Sequence, residues 1–265
     1  MRTHVMYQVD AFTNRVFAGN PAAVLVLEKD WLSDDLMQQI AAENNLAETA
    51  FARPNASAGW DLRWFTPVQE VDFCGHATLA TGHVLATELG HSGTLVFTTR
   101  VGELRVERSG DAYVLDLPAF PPERFEEPSD ILAEVCPAGW RTAFRSFENV
   151  FVELPDEDAL RAFAPDLERV KMLFPFGLCV TAPGDHHDFV SRYFAPGAGI
   201  PEDPVTGGTH ATLVPYWADR LGRTELVAFQ CSKRGGELRC RLDGSRVRLT
   251  GHAVTFMSAT IRLPC

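Results

Sequence analysis

The sequence has no run of about eighteen apolar residues, the length a helix needs to cross a bilayer, and this excludes a membrane-spanning helix. Its first residues, MRTHVMYQVDAF, lack the unbroken apolar stretch of a secretory signal and read as the opening strand of a soluble, cytoplasmic protein. Cysteine is sparse. Six are scattered over 265 residues, at positions 74, 136, 179, 231, 240 and 265, with no CxxC spacing. Free thiols are therefore expected rather than a disulfide framework. An excess of basic charge is also missing: the formal net charge is −11, which opposes electrostatically driven binding of nucleic acid. No GxGxxG follows a strand, and neither GxxxxGK[ST] nor GxSxG occurs, so no nicotinamide, ATP or other cofactor is expected, nor a serine-hydrolase centre. His186-His187-Asp188 has metal-binding side chains, but adjacent residues of a strand point to opposite faces, and no metal site is expected there.

What is present is a repeat. HATL occurs at 76–79 and again at 210–213, 134 residues apart, and VGELRV at 101–106 matches GGELRC at 235–240 with the same offset. A third pair lies upstream, RWFTP ending at Pro67 and RYFAP ending at Pro196, offset by 129. Matches in one order and with similar spacing indicate duplication, each half reading strand, turn, helix, strand. The first of these helices carries Leu79, Val84, Leu85 and Leu89 and can stop at Gly90. The second carries Leu213, Trp217 and Leu221, stops at Gly222, and is expected to hold Pro215 in its first turns, where a missing donor costs little. An earlier helix is expected over 34–43, with Ser33 as N-cap and Asp34 and Asp35 in its first turn.

Short alternating or β-branched segments such as AAVLVLE, LVFTTR, AYVLDLP and AVTFMSATIRL surround the two apolar helices. Many strands and one central helix per half predict a sheet curled around that helix, since curling removes exposed edges. The boundary is expected in the proline- and glutamate-rich stretch 118–130, giving an N-terminal domain over 1–124 and a duplicate over 125–265. Two helix starts facing a cleft between the domains would present unpaired N–H groups to an anion.

Three side chains could carry chemistry. Glu48, in NNLAETAF, has mostly apolar neighbours, and burial would raise its pKa toward the range of a useful acid or base; a surface loop is the plainer alternative. Asp203, in PEDPVTGG, precedes the second helix and could cap it, orient a partner or move a proton; Glu202 beside it should face elsewhere. His76 opens the first helix and could hydrogen-bond, shuttle protons or serve structure alone. His210 reads as structural. Cys74 has no cysteine counterpart before the second helix, so a two-thiol racemase is disfavoured and a buried small side chain is expected.

The segments YQVDAFT, FAGNPAAV, IAAENNLAETAF, RWFTPVQEVDFCGHATLA, EDPVTGG, PYWADRLG and SKRGGEL, in this order along nearly the whole chain, resemble the PhzF-like isomerase family of phenazine biosynthesis. The resemblance implies an α+β fold of two pseudo-symmetric, diaminopimelate-epimerase-like domains, each a curled, mostly antiparallel sheet around a central helix. It also implies a homodimer without cofactor. In the phenazine enzyme a glutamate moves a proton between ring carbons; carried over, that residue is Glu48, accompanied by His76 and Asp203. Gly208 and Ala47 stand where family members often carry serine, and both replacements make the expected pocket less polar. The family alignment pairs Cys74 with Thr206 and His76 with Gly208, whereas the HATL match shifts this pairing by two, and both registers stay open at this point.

The expected activity is cofactor-independent isomerisation of a small carboxylated, cyclic or unsaturated metabolite. Glu48 would take and return the proton, Asp203 and His76 would assist, and Gly75, Gly207, Gly208 and Thr209 would hold the carboxylate at the helix starts. Epimerisation beside a carboxylate is one alternative. A protein-interaction module that has lost activity is the other.

Overall fold

The computed structural model describes residues 2–124, 129–136, 139–147 and 149–263. They fall into two compact units: one runs to Leu117 and takes the chain again from Thr250, the other spans Pro118 to Leu249. The expected partition at 124/125 is thus corrected twice. The first unit ends earlier, and it recovers the final strand.

In the first unit the chain forms β1 (Arg2–Ala11), β2 (Asn20–Val26), α1 (Asp34–Asn44), β3 (Glu48–Pro54), β4 (Trp60–Phe65), β5 (Glu70–Val71) and α2 (Gly75–His83). A π-helical turn at Val84–Glu88 extends α2, and β6 (Leu95–Thr99), β7 (Gly102–Ser109) and β8 (Ala112–Pro118) follow. The second unit contains β9 (Glu123–Arg124), α3 (Ser129–Val135), β10 (Thr142–Ser146), β11 (Asn149–Glu153), α4 (Glu157–Ala162), α5 (Leu167–Val170), β12 (Gly177–Pro183), β13 (Phe189–Ala195) and β14 (Ile200–Asp203). Then come α6 (His210–Leu221), β15 (Glu225–Gln230), β16 (Gly236–Asp243) and β17 (Arg246–Gly251). The last strand, β18 (Ala253–Leu263), pairs antiparallel with β1 from Arg2↔Leu263 to Ala11↔Ala253, and this ladder returns the C-terminal segment to the first unit.

The duplication extends to strand polarity. In the first unit β2 joins β1 antiparallel and β3 parallel, β3 joins β4 antiparallel, and β4 joins β5 antiparallel and β6 parallel. In the second, β11, β10, β12, β13, β14 and β15 repeat that order of antiparallel and parallel contacts. Both units are therefore mixed, mostly antiparallel sheets that curl without closing, with one long helix packed inside, as expected.

Helix α2 is enclosed: every residue from Gly75 to His83 is buried, and β1, β2, β3, β7 and β18 all contact it. Two of its threonines satisfy their hydroxyls on the helix backbone, Thr78 donating to the Cys74 carbonyl and Thr81 to that of Ala77, so dry surroundings leave neither stranded. Strand β2 is covered on its other face by α1, where Met37, Ile40 and Ala41 pack with Ala23, Leu25 and Phe51. Burial on both faces explains why the AAVLV segment is continuously apolar rather than alternating. Ser33 caps α1 as expected, its Oγ accepting from the Leu36 N–H at 3.3 Å.

Pro215 lies deeper in α6 than expected. A tight turn with three-residue hydrogen bonds, from His210 N–H to the Gly207 carbonyl and from Ala211 N–H to that of Gly208, precedes the regular helix and pushes the proline into its second turn. The missing Pro215 donor would have served the Ala211 carbonyl, which instead accepts the Phe120 N–H at 2.9 Å.

Close packing of α2 on β7 makes one glycine indispensable. A Cβ at Gly82 would overlap Val106 Cγ1. Gly82→Val should therefore cost at least about 2 kcal/mol in urea unfolding through overpacking. Combined with Val106→Ala, it should lose less than the two single changes together by about 1 kcal/mol or more, because the pair shares one space.

Candidate active site

Glu48 is the first residue of β3, paired in the parallel ladder with Ala22 of β2, and its side chain is directed into the protein rather than into a surface loop. Only 8% of the residue is exposed. Its Oε2 lies 3.2 Å from Nε2 of His76, which is 2% exposed at the start of α2. Nδ1 of the same ring is 3.0 Å from Nδ2 of Asn20, the wholly buried first residue of β2, and 3.6 Å from Sγ of Cys74. Three features of one unit, the starts of β2, β3 and α2, thus converge on one imidazole.

Burial pushes His76 down to about 3 from its ordinary 6.5, so the ring is neutral at physiological pH. The neighbouring carboxylate works in the opposite direction, but a ring sealed from water gains little by charging when its other nitrogen faces an amide NH₂. At the start of α2 the first-turn N–H groups, Gly75 and His76 among them, have no intrahelical acceptor, as in any helix, and they lend the site a local positive end. Ligand atoms of Glu48, Cys74 and His76 lie within 4.8 Å of one another, a donor set suited to zinc. Both ring nitrogens are already engaged, so a cation could enter only by displacing one of these contacts.

In the second unit, Asp203 ends β14 and is 3% exposed. It does not cap α6, whose N-cap is Thr209 without a side-chain capping bond. Its Oδ2 accepts from Thr206 Oγ1 at 2.5 Å. Gln230 then closes the loop: Nε2 donates to the Asp203 carbonyl and to Thr206 Oγ1, and Oε1 accepts the Thr206 N–H. Gly207 and Gly208 occupy the turn before α6, and Thr209 Oγ1 donates to the Thr206 carbonyl at 2.9 Å. Glu202 points away from Asp203 as expected and binds Arg192 through both oxygens.

Sheet register settles how the strands of the copies correspond. Trp60 pairs with Phe97 and Phe189 with Ala228 in the two parallel contacts, which aligns β4 with β13. Thr49↔Phe65 and Leu178↔Phe194 then place Glu48 opposite Gly177, and Trp64↔Val71 with Tyr193↔Asp203 places Val71 opposite Asp203. The same offset as for Val71 and Asp203 pairs Cys74 with Thr206 and His76 with Gly208. The helix caps follow a different offset, Cys74 for α2 and Thr209 for α6, close to that of the HATL identity. Strand register thus supports the family pairing up to the turn, and the helices beyond it run nearer the HATL register. A Cβ at Gly177 would overlap the Tyr193 hydroxyl.

Sequence reasoning assigned no role to Asn20 or Gln230. Each was visible as a polar residue at the end of an otherwise apolar strand segment, NPAAVLV and ELVAFQ. His186-His187-Asp188 sits in a bend between β12 and β13 rather than on a strand. Asp188 there accepts the Val227 N–H, and His187 stacks on Phe229 and faces Glu237. His210 is buried, with Nδ1 on the Thr206 carbonyl, and burial lowers it to about 4. No helix among the described residues is long and apolar enough to cross a membrane.

A family model described as phenazine biosynthesis-like protein matches residues 9–259. A Pseudomonas aeruginosa protein named as an uncharacterized isomerase is 48% identical over 258 residues, covering 97% of this chain and 98% of the relative. The crystal structure of a phenazine biosynthesis protein of the PhzF family from Enterococcus faecalis superimposes with a TM-score of 0.89 at 43% identity, covering 99% of this chain and all of that one. At 9% identity, where likeness speaks for the fold alone, a hydroxyproline epimerase from Agrobacterium vitis gives a TM-score of 0.65 over 98% of this chain and 92% of that one.

Burial depresses three histidines, His83 and more strongly the pair His76 and His210, and that pair makes stability depend on pH. Unfolded, each binds a proton near 6.5; folded, they do so only near 3 and 4. Between these values the unfolded chain holds more protons, so stability falls as pH drops below 6.5. Urea unfolding at pH 7 and pH 5 should show a loss of about 1–2 kcal/mol per ring, and His210→Asn should remove its share of that difference.

Proposed function

The chain belongs to the phenazine biosynthesis-like PhzF family, and we propose on that footing that it is an isomerase moving a proton within a small carboxylate-bearing metabolite, without a cofactor. The observation that carries this reading is a buried carboxylate, Glu48, 3.2 Å from a buried and neutral imidazole at the start of a helix.

Glu48 takes a proton from an acidified carbon and returns it to another carbon of the same molecule. A carboxylate sheltered from water is a stronger base toward carbon than one paired with solvent. His76 stays neutral and lies against the Glu48 carboxylate at 3.2 Å rather than exchanging charge with it. N–H groups at the start of α2, from Gly75 and His76, supply donors for a substrate oxygen; Gly207, Gly208 and Thr209 before α6 are the second unit's own candidates for that role. Asp203, held by Thr206, is the second carboxylate available to orient substrate or to complete proton transfer.

Epimerisation would require a second acid–base group. The positions of the second unit that correspond by strand register to Glu48 and His76 are glycines, so that reading falls on Asp203 alone among the paired positions. Isomerisation by one base requires no such partner and is preferred here.

Incubation of the protein with candidate unsaturated or cyclic carboxylates in heavy water should give a positional isomer, with deuterium at the carbon that receives the proton. Glu48→Gln should lower the rate of labelling about 10²- to 10⁴-fold while leaving the fold intact. Wild-type rates in Glu48→Gln would remove Glu48 from the reaction. A product of inverted configuration at the original carbon, lost in Asp203→Asn, would replace isomerisation by epimerisation.

A further inference from the structure

His76 meets a polar group at each ring nitrogen: Asn20 hydrogen-bonds with Nδ1, and the Glu48 carboxylate lies against Nε2. A neutral imidazole carries a single proton, and the nitrogen that bears it is decided by what faces the other. Asn20 presents its amide nitrogen to Nδ1 at 3.0 Å. An amide NH₂ can only donate, so Nδ1 must offer its lone pair and the proton must sit on Nε2. Nε2 faces the Glu48 carboxylate at 3.2 Å, where an N–H is welcome. The opposite tautomer would set a lone pair against a carboxylate oxygen in a dry interior, two acceptors with nothing between them.

We propose that Asn20 is a positioning residue of this centre: its side-chain amide fixes His76 as the Nε2–H tautomer, so that the imidazole supports the Glu48 carboxylate instead of competing for its proton. The inference rests on the reading of Glu48 as the base and deepens it. With Nε2 already protonated and Nδ1 occupied, the ring cannot draw away the proton that Glu48 has taken from carbon. Through His76 that proton has no exit, which favours its return to the substrate, as an isomerisation within one molecule requires. The backbone is arranged to hold this geometry. Asn20 opens β2, is paired with Ala11 of β1, and is 0% exposed, so its side chain has little room to turn.

The deciding experiment is nitrogen NMR of protein labelled with ¹⁵N-histidine, with the His76 signals assigned by their loss in His76→Asn. Wild type should show a pyrrole-like Nε2 and a pyridine-like Nδ1. Asn20→Leu keeps the approximate volume and removes the donor, so the two signals should move toward the average of the tautomers. Asn20→Asp keeps the shape and replaces donor by acceptor, so Nδ1 should gain a proton and lose its pyridine-like shift. A protonated Nδ1 in wild type, or folded Leu and Asp variants with unchanged nitrogen shifts, would overturn the proposal.

The same variants also separate positioning from packing. A packing role would make the isosteric Asp change the milder one. Tautomer control makes it the more severe, with deuterium labelling slowed about tenfold in Asn20→Leu and about a hundredfold in Asn20→Asp, and KM within about twofold of wild type. A change confined to KM would count against it. The NMR result needs no substrate, so absence of labelling by wild type would sink the isomerase reading and leave the tautomer assignment to stand or fall separately.

Discussion

The constraint on which everything else depends is the exclusion of water from an ionisable pair. Glu48 and His76 are both almost fully buried, and such groups survive burial only when their polar atoms find partners. The first unit is built to supply those partners. Its parallel contact between β2 and β3 brings the start of one strand beside the start of the other, and α2 enters at the same level. A carboxylate, an imidazole and an amide thereby meet although they are separated by tens of residues in the chain.

Duplication explains the scaffold and not the chemistry. Strand polarity, the enclosed helix and the turn before it recur in both units, yet the reactive side chains do not. By strand register, Glu48 and His76 correspond to Gly177 and Gly208, and Asp203 corresponds to Val71. Each copy retains the frame and carries a different polar group on it. A symmetric ancestor with matching bases is a natural starting point for inversion at one carbon, whereas an asymmetric descendant suits transfer of a proton along one face of a molecule.

Much of this was legible in the sequence where the signal was local. Ser33 and Gly222 mark helix ends because capping is decided within a few residues. The enclosed helices showed in their apolar content, and the repeat showed in two matches sharing one offset. Long-range consequences were not legible. The final strand was assigned to the second domain because its partner, β1, lies at the other end of the chain. Pro215 was placed too early because the tight turn at 207–210 has no distinctive sequence mark. Asn20 and Gln230 gave only the faint signal of a polar residue ending an apolar strand, since their value lies in contacts 56 and 24 residues away. Capping stayed among the three readings of Asp203 because position alone cannot tell a helix cap from a buried side chain bound to a nearby hydroxyl.

The Tyr193 hydroxyl occupies the space that a side chain at position 177 would need. The asymmetry between the copies is therefore sterically supported: a carboxylate side chain at 177 requires the Tyr193 ring to move. Descendants of this gene can change what the first copy's acid acts upon far more readily than they can regain a twin for it. With Glu48 in its proposed role, divergence within such a lineage should run through the walls around one fixed proton carrier, not through the return of a second.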